Sequence, residues 1–126
     1  MHGFRISIDT ENKMAREKPI RWSGSAYDDL LAFPPEARRL VGFQLGLIQL
    51  GYEPHDWKPF ESAGTGVKEI RIRAGNNQYR SLYVAKFEDA VYVLHCFVKK
   101  EEKTSKHDVE IARARYREII RSRIKL

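Results

Sequence analysis

A small α+β fold with a mostly antiparallel sheet is what this chain predicts, and three observations predict it. Apolar residues recur at helical spacing in two adjoining blocks near the start and again near the end. Between those blocks lie strand-like runs, two of them joined by the turn-forming AGNNQ. A further apolar run, VYVLHCFVKK, is almost continuous, as expected for a strand covered on both faces. The predicted order is β-α-α-β-β-β-α, and 126 residues with 42% apolar content supply one core without a second domain.

Residues 1–17, MHGFRISIDTENKMARE, are polar apart from the alternating Phe4, Ile6 and Ile8, which suit a short edge strand. Met14 offers an alternative start, so residues 1–17 read as an extension and residues 18–126 as the domain. KPIRW, Lys18 to Trp22, is the first strand. In SGSAYDDLLAF, Ser25 with Asp28 three residues on has the spacing of an N-cap and its partner, with Tyr27, Leu30, Leu31 and Phe33 as the buried side. Pro34 and Pro35 end that helix and open the next. From Glu36 to Leu50, Leu40, Val41, Phe43, Leu47, Ile48 and Leu50 form its apolar pattern, and Gly51 stops it. The result is a helical hairpin.

GYEPHDWKPFESAGTG reads as a loop from its Pro, Gly and Asp content. In VKEIRIR, alternation puts Lys68, Ile70 and Ile72 on one face and Glu69, Arg71 and Arg73 on the other. The chain returns through YRSLYVAKF, turns at FEDA and enters VYVLHCFVKK. Ser105 and Asp108 repeat the capping pattern and start a helix running to about Ile124, with Val109, Ala112, Tyr116, Ile119 and Ile120 on its apolar face.

The net charge of +6 favours a polyanionic partner such as RNA, DNA or an acidic protein. A single cysteine, Cys96, excludes an internal disulfide and fits a cytoplasmic protein. No run approaches the roughly 18 apolar residues that a membrane-spanning helix needs, and no secretory signal pattern opens the chain, so no membrane association is expected.

The common catalytic constellations are missing. GTG at Gly64 to Gly66 lacks the rest of a phosphate loop, His2, His55, His95 and His107 have no metal-ligand spacing, and no serine sits in a nucleophile turn. Neither metal nor cofactor is expected. What recurs is cationic side chains on strands: Arg71 and Arg73 on one face, Arg80 on the next strand, Lys99 and Lys100 at the end of the strand after that. With strands about 4.8 Å apart, these groups can converge on one patch. Such a patch suits a phosphodiester, because Arg binds phosphate bidentately and fixed cations stabilise the charge that develops as a ribose 2′-oxygen attacks phosphorus. A Lys among arginines also becomes a better base as like charge depresses its pKa. The competing reading is a solvated sheet face followed by a charged turn. Trp22, Trp57, Tyr79, Tyr83 and Phe97 read as core or loop anchors, although an aromatic near the cations would stack bases. His95, between Leu94 and Cys96, reads as a hydrogen-bonded core histidine.

KPIRW, SAYDDLLAFP, DWKP, VKEIRIR, YRSLYVAKF, VYVLHCFVKK and EKTSKHDVEIARARYREII, in that order, resemble the RelE/ParE superfamily of type II toxins, and specifically its phage-derived HigB-like branch. The resemblance covers about Lys18 to Ile120. It implies a RelE-like fold, in which a helical hairpin and a C-terminal helix pack on a small curved sheet. It also implies a ribosome-dependent mRNA endoribonuclease that needs no metal and a cognate antitoxin, of helix-turn-helix type, as partner. By motif, the catalytic positions fall on Arg71, Arg73, Arg80 and Lys99 or Lys100; Lys68, Lys103, Lys106 and His107 are expected, as further cationic side chains, to contact RNA. Two departures stand out: Lys106-His107-Asp108 occupies the place of a substrate-stacking aromatic, and Ser105 stands where the branch tends to have Pro. Two other readings remain open, a gyrase-poisoning toxin like the ParE branch and a binding module that has lost catalysis.

Overall fold

The computed structural model describes residues 17–124, so the expected leader strand and the alternative start at Met14 lie outside the described residues. Strand β1 spans Ile20–Trp22, followed by helices α1 (Ala26–Leu31) and α2 (Pro35–Gln49). Strands β2 (Trp57–Pro59), β3 (Val67–Ala74), β4 (Asn77–Val84) and β5 (Val91–Lys99) come next, and helix α3 (Lys106–Arg123) closes the chain. They form one five-stranded sheet ordered β1-β5-β4-β3-β2, antiparallel except where β1 pairs parallel with β5. This is the α+β, RelE-like arrangement that the sequence predicts.

Strand β2 was not expected. It is three residues long, ends on Pro59, and owes its conformation to pairing of Trp57 with Ile70 and Lys58 with Glu69 rather than to any pattern of its own.

Each face of the sheet carries a core. On one, Ile70, Ile72, Tyr79, Tyr83, Val91, Val93 and Cys96 meet the helical hairpin through Ala26, Leu30, Phe33, Ala37, Val41, Leu45 and Ile48. On the other, Val67, Leu82, Val84, Leu94 and Phe97 meet Ala112 and Ile119 of α3. The hairpin buries Leu30, Phe33, Val41 and Ile48 as predicted, but Tyr27, Leu31, Phe43 and Leu50 are exposed, while Ala26, Ala37 and Gln44 are buried in their place. An apolar arc this wide leaves the inward direction to be set by the sheet, and Gln44 is admitted because its side-chain carbonyl accepts from the His55 amide at 2.6 Å. Pro35 starts α2 as expected, and Gly51, at φ +93°, takes the chain out of it in a conformation that a side chain would strain.

The two caps differ. Ser105 Oγ accepts from the Asp108 amide at 3.0 Å and donates to the Asp108 carboxylate at 2.7 Å, so the predicted cap of the last helix is present. Ser25 makes no side-chain cap, and its hydroxyl donates to Asp29 instead of engaging Asp28.

One irregularity positions the site. The pairing of β4 with β5 shifts between Leu82, opposite His95, and Tyr83, opposite Val93, which leaves Leu94 as an extra residue. Arg115 satisfies the Leu94 carbonyl from α3 at 2.8 Å. The bulge puts Leu94 beside α3 and still brings His95 and Phe97 to the same face as Leu82 and Arg80.

Candidate nucleic-acid interface

The α3 face of the sheet divides along its length. Its lower half is apolar and covered by α3, whereas the upper half carries Glu69, Arg71 and Arg73 from β3, Gln78 and Arg80 from β4, and Phe97 and Lys99 from β5. Arg71 lies opposite Arg80, Arg73 opposite Gln78, Arg80 opposite Phe97 and Gln78 opposite Lys99. The convergence of Arg71, Arg73 and Arg80 expected from alternation is therefore the observed arrangement.

The three arginines are held very differently. Arg73 is exposed and forms no hydrogen bond or ion pair among the described residues. Arg71 is half-buried, with Nε 3.9 Å from the Asp56 carboxylate, and its backbone N–H donates to the Asp56 carbonyl at 2.9 Å. Arg80 is buried, with 5% of its side chain exposed, and it donates to the Gln78 side chain at 2.7 Å and the Tyr79 carbonyl at 3.2 Å. Its Nε is 3.4 Å from a carboxylate oxygen of Glu69, itself only 9% exposed, and lacks a hydrogen-bond partner.

Glu69 is the site residue that the sequence reading passed over. Burial raises its pKa against the pull of Arg80, Arg71, Lys99 and Lys58, and burial likewise lowers that of Arg80 against the pull of Glu69. The buried pair offsets what two arginines placed directly opposite each other would cost. The alternation that put Arg71 and Arg73 on one face had already put Glu69 beside them.

Asp56, Arg71, Ile72, Arg73, Gln78 and Arg80 surround a cavity of about 80 Å³. At roughly 30 Å³ per water, that is room for a few waters or one tetrahedral oxyanion. A phosphate there meets Arg73 freely and Arg71 by exchange with Asp56. Arg80 sits behind them as a fixed, partly compensated charge.

The remaining predicted positions are more scattered. Lys99 reaches the correct face, but its ammonium is folded back onto the carbonyls of Glu101, at 2.7 Å, and Glu102, tying down the turn ahead of α3. Lys100, Lys103, Lys106 and His107 are exposed around that turn and carry no ion pair among the described residues. Lys68 belongs to the opposite face, where it pairs with Glu53 at 3.2 Å and lies over the Trp57 ring, so the structure separates it from this site. His95 is the expected core histidine: Nε2 is 2.7 Å from Asp108, its ring stacks on Phe97, and Nδ1 is buried without a partner. Cys96 is buried, and burial pushes its thiol up to about 12, which rules it out as a nucleophile near neutrality. Among the described residues no group of three or more His, Cys, Asp or Glu side chains could hold a metal ion, and no helix is long and apolar enough to cross a membrane.

The model of a family described as phage-derived protein Gp49-like (DUF891) matches residues 28–117. That stretch runs from α1 to the final turns of α3 and contains every residue of the basic face. No curated protein matches the chain.

Proposed function

The chain belongs to the Gp49-like phage-derived family, a RelE/toxin-like family, and from that premise we propose that it is a HigB-like toxin that cuts mRNA on the ribosome. The observation that carries the reading is the uncovered upper half of the sheet, where an exposed Arg73, an exchangeable Arg71 and a buried Arg80, held from behind by Glu69, line a phosphate-sized cavity. A solvated sheet face has no need of a buried carboxylate whose pKa is raised by its own desolvation.

In this reading the mRNA supplies its own nucleophile. The 2′-oxygen attacks the adjacent phosphorus, a 2′,3′-cyclic phosphate forms, and the 5′-oxygen leaves with a proton. Arg71 and Arg73 hold the non-bridging oxygens and neutralise the charge that grows on them. Asp56, the carboxylate that lines the cavity, is the acceptor for the 2′-hydroxyl proton, while Glu69 holds Arg80 from behind. Lys100, exposed at the edge of the same face, is the donor to the leaving oxygen. Lys99 acts indirectly, because its ammonium is occupied by the turn that places Lys100 and Lys103. An acidic or helix-turn-helix antitoxin that covers this face would silence it.

The test is primer-extension mapping of mRNA ends after induction of the wild type and of Arg73→Ala. New ends with the wild type and at least a tenfold loss with Arg73→Ala are expected. No new ends from the wild type would defeat the nuclease reading, and full toxicity in Arg73→Ala would favour a gyrase-directed toxin.

A further inference from the structure

A cavity of about 280 Å³ opens where the turn after α2 meets the start of β3 and the end of β4. Ile48, Ala85 and the Tyr83 ring give it apolar walls, while Lys18, Lys68 and Glu53 give it charge. None of these residues belongs to the basic face built by Arg71, Arg73 and Arg80.

Two donors on this cavity are left unmet. Tyr83 stands directly opposite Lys68 in the β3–β4 pairing and is only 1% exposed, yet its hydroxyl forms no hydrogen bond among the described residues. A buried tyrosine ordinarily finds a partner for that group, and packing alone would be served by phenylalanine. Burial, helped by the nearby Glu53 charge, pushes its pKa up, so at neutral pH it remains an O–H donor. Lys18 is half-buried, and its ammonium donates to the carbonyls of Ala85 at 2.6 Å and Phe87 at 2.7 Å. Those bonds use two of its three N–H groups and leave its charge without a carboxylate among the described residues. A partly buried cation held only by neutral carbonyls is stabilised by an anion that reaches the third N–H.

The other walls narrow the ligand. Lys68 is taken by Glu53 at 3.2 Å and by the face of the Trp57 ring, and Lys86 commits its ammonium to the Tyr116 hydroxyl at 3.0 Å. One cation is therefore open, and the Glu53 carboxylate repels a second negative charge, which favours a monoanion over a dianion. At roughly 30 Å³ per water the volume equals about nine waters, so an organic molecule of about ten non-hydrogen atoms fills it. Ile48, Ala85 and the Tyr83 ring favour an apolar body on that molecule.

We propose that this cavity binds a small aromatic or branched-chain monocarboxylate, whose head accepts from Lys18 and Tyr83 and whose body lies against Ile48 and Ala85. The site stands independently of the RNA reading. Its occupant is a metabolite-sized acid rather than a nucleic acid.

The experiment titrates the full chain, labelled with nitrogen-15, with 3-phenylpropionate and follows the backbone amide shifts. Three comparison molecules separate the walls: 3-phenylpropan-1-ol has the body without the charge, acetate the head without the body, and phenyl phosphate at pH 8 a dianionic head. 3-Phenylpropionate is expected to bind with a Kd on the order of 1 mM, shifting the Gly51 and Gly66 amides and leaving that of Arg73 in place. Each comparison molecule should bind at least about fivefold more weakly. Tyr83→Phe keeps the ring and should weaken 3-phenylpropionate about fivefold, and Lys18→Met should weaken it about tenfold. Should Lys18→Met not fold, Tyr83→Phe decides alone. No shift at about 20 mM 3-phenylpropionate, or shifts that avoid Gly51 and Gly66, would overturn the site. Equal or tighter binding of any comparison molecule would overturn the ligand class, and undiminished affinity in Tyr83→Phe would overturn the assigned contacts.

Discussion

Replacing Arg80 by Met should produce a stability loss that grows with pH. Arg80 and Glu69 are buried together, and removing one partner of such a pair costs about 3–5 kcal/mol because the survivor is left charged and unpaired. The two survivors respond differently. Glu69 already has a raised pKa and can escape by taking a proton, whereas Arg80 cannot shed one near neutrality. In Arg80→Met the folded-state pKa of Glu69 rises further while its unfolded value stays near 4.3. Between those two values the native state binds more protons than the unfolded one, so stability falls as pH rises, by up to about 1.4 kcal/mol per pH unit. The loss is therefore smallest near pH 5 and larger at pH 8. Glu69→Gln, which strands a permanent cation, should show a penalty that hardly varies over the same range. Thermal unfolding followed by circular dichroism at pH 5 and pH 8 reads both variants, at about 3–5 °C per kcal/mol for a chain of this size. A melting-temperature loss in Arg80→Met that is equal at the two pH values would refute the reasoning.

Three further predictions concern the frame around the site. Ser105→Ala removes the α3 cap and frees Asp108, and should cost about 1–2 kcal/mol in denaturant unfolding; a change below ~0.3 kcal/mol would show that the cap is idle. Gly64→Ala would drive a methyl group into the Tyr116 ring at φ +155°, where that ring's hydroxyl donates to the Thr65 carbonyl at 2.8 Å, and a loss of about 1–3 kcal/mol is expected. An unchanged unfolding midpoint would mean that the ring moves freely. Gly42→Ala, on α2 with open space where the methyl would stand, should stabilise by about 0.5–1 kcal/mol, and a fall in melting temperature would contradict the helix argument.

What was legible in the sequence followed from periodicity and punctuation. Pro34-Pro35 and Gly51 bounded α2, Ser105 and Asp108 marked the start of α3, and period-two alternation placed Arg71 and Arg73 on one face. What escaped has a physical reason in each case. Strand β2 is held by its neighbour alone, so three residues ending in Pro could not announce it. Tyr27, Phe43 and Leu50 fell on the outer edge of arcs too wide to show which way they would turn. Lys99 stood at the right parity, but nothing in a spacing reveals that an ammonium will fold back onto two carbonyls of its own turn. Glu69 stands at the same spacing as Arg71 and Arg73, but alternation alone does not reveal that its carboxylate pairs with Arg80 from the neighbouring strand once both are buried.

Asp56 gives the basic face a property that its net charge conceals. The carboxylate 3.9 Å from Arg71 is a resident counter-anion, anchored by the β3 amide that its own carbonyl accepts. On the reading proposed above, a phosphate that engages Arg71 has to exchange with it, so an isolated phosphate gains little there, while a strand presenting several phosphates gains on each additional contact. On that reading the site would discriminate against small anions and toward polymer, a selectivity by displacement rather than by shape.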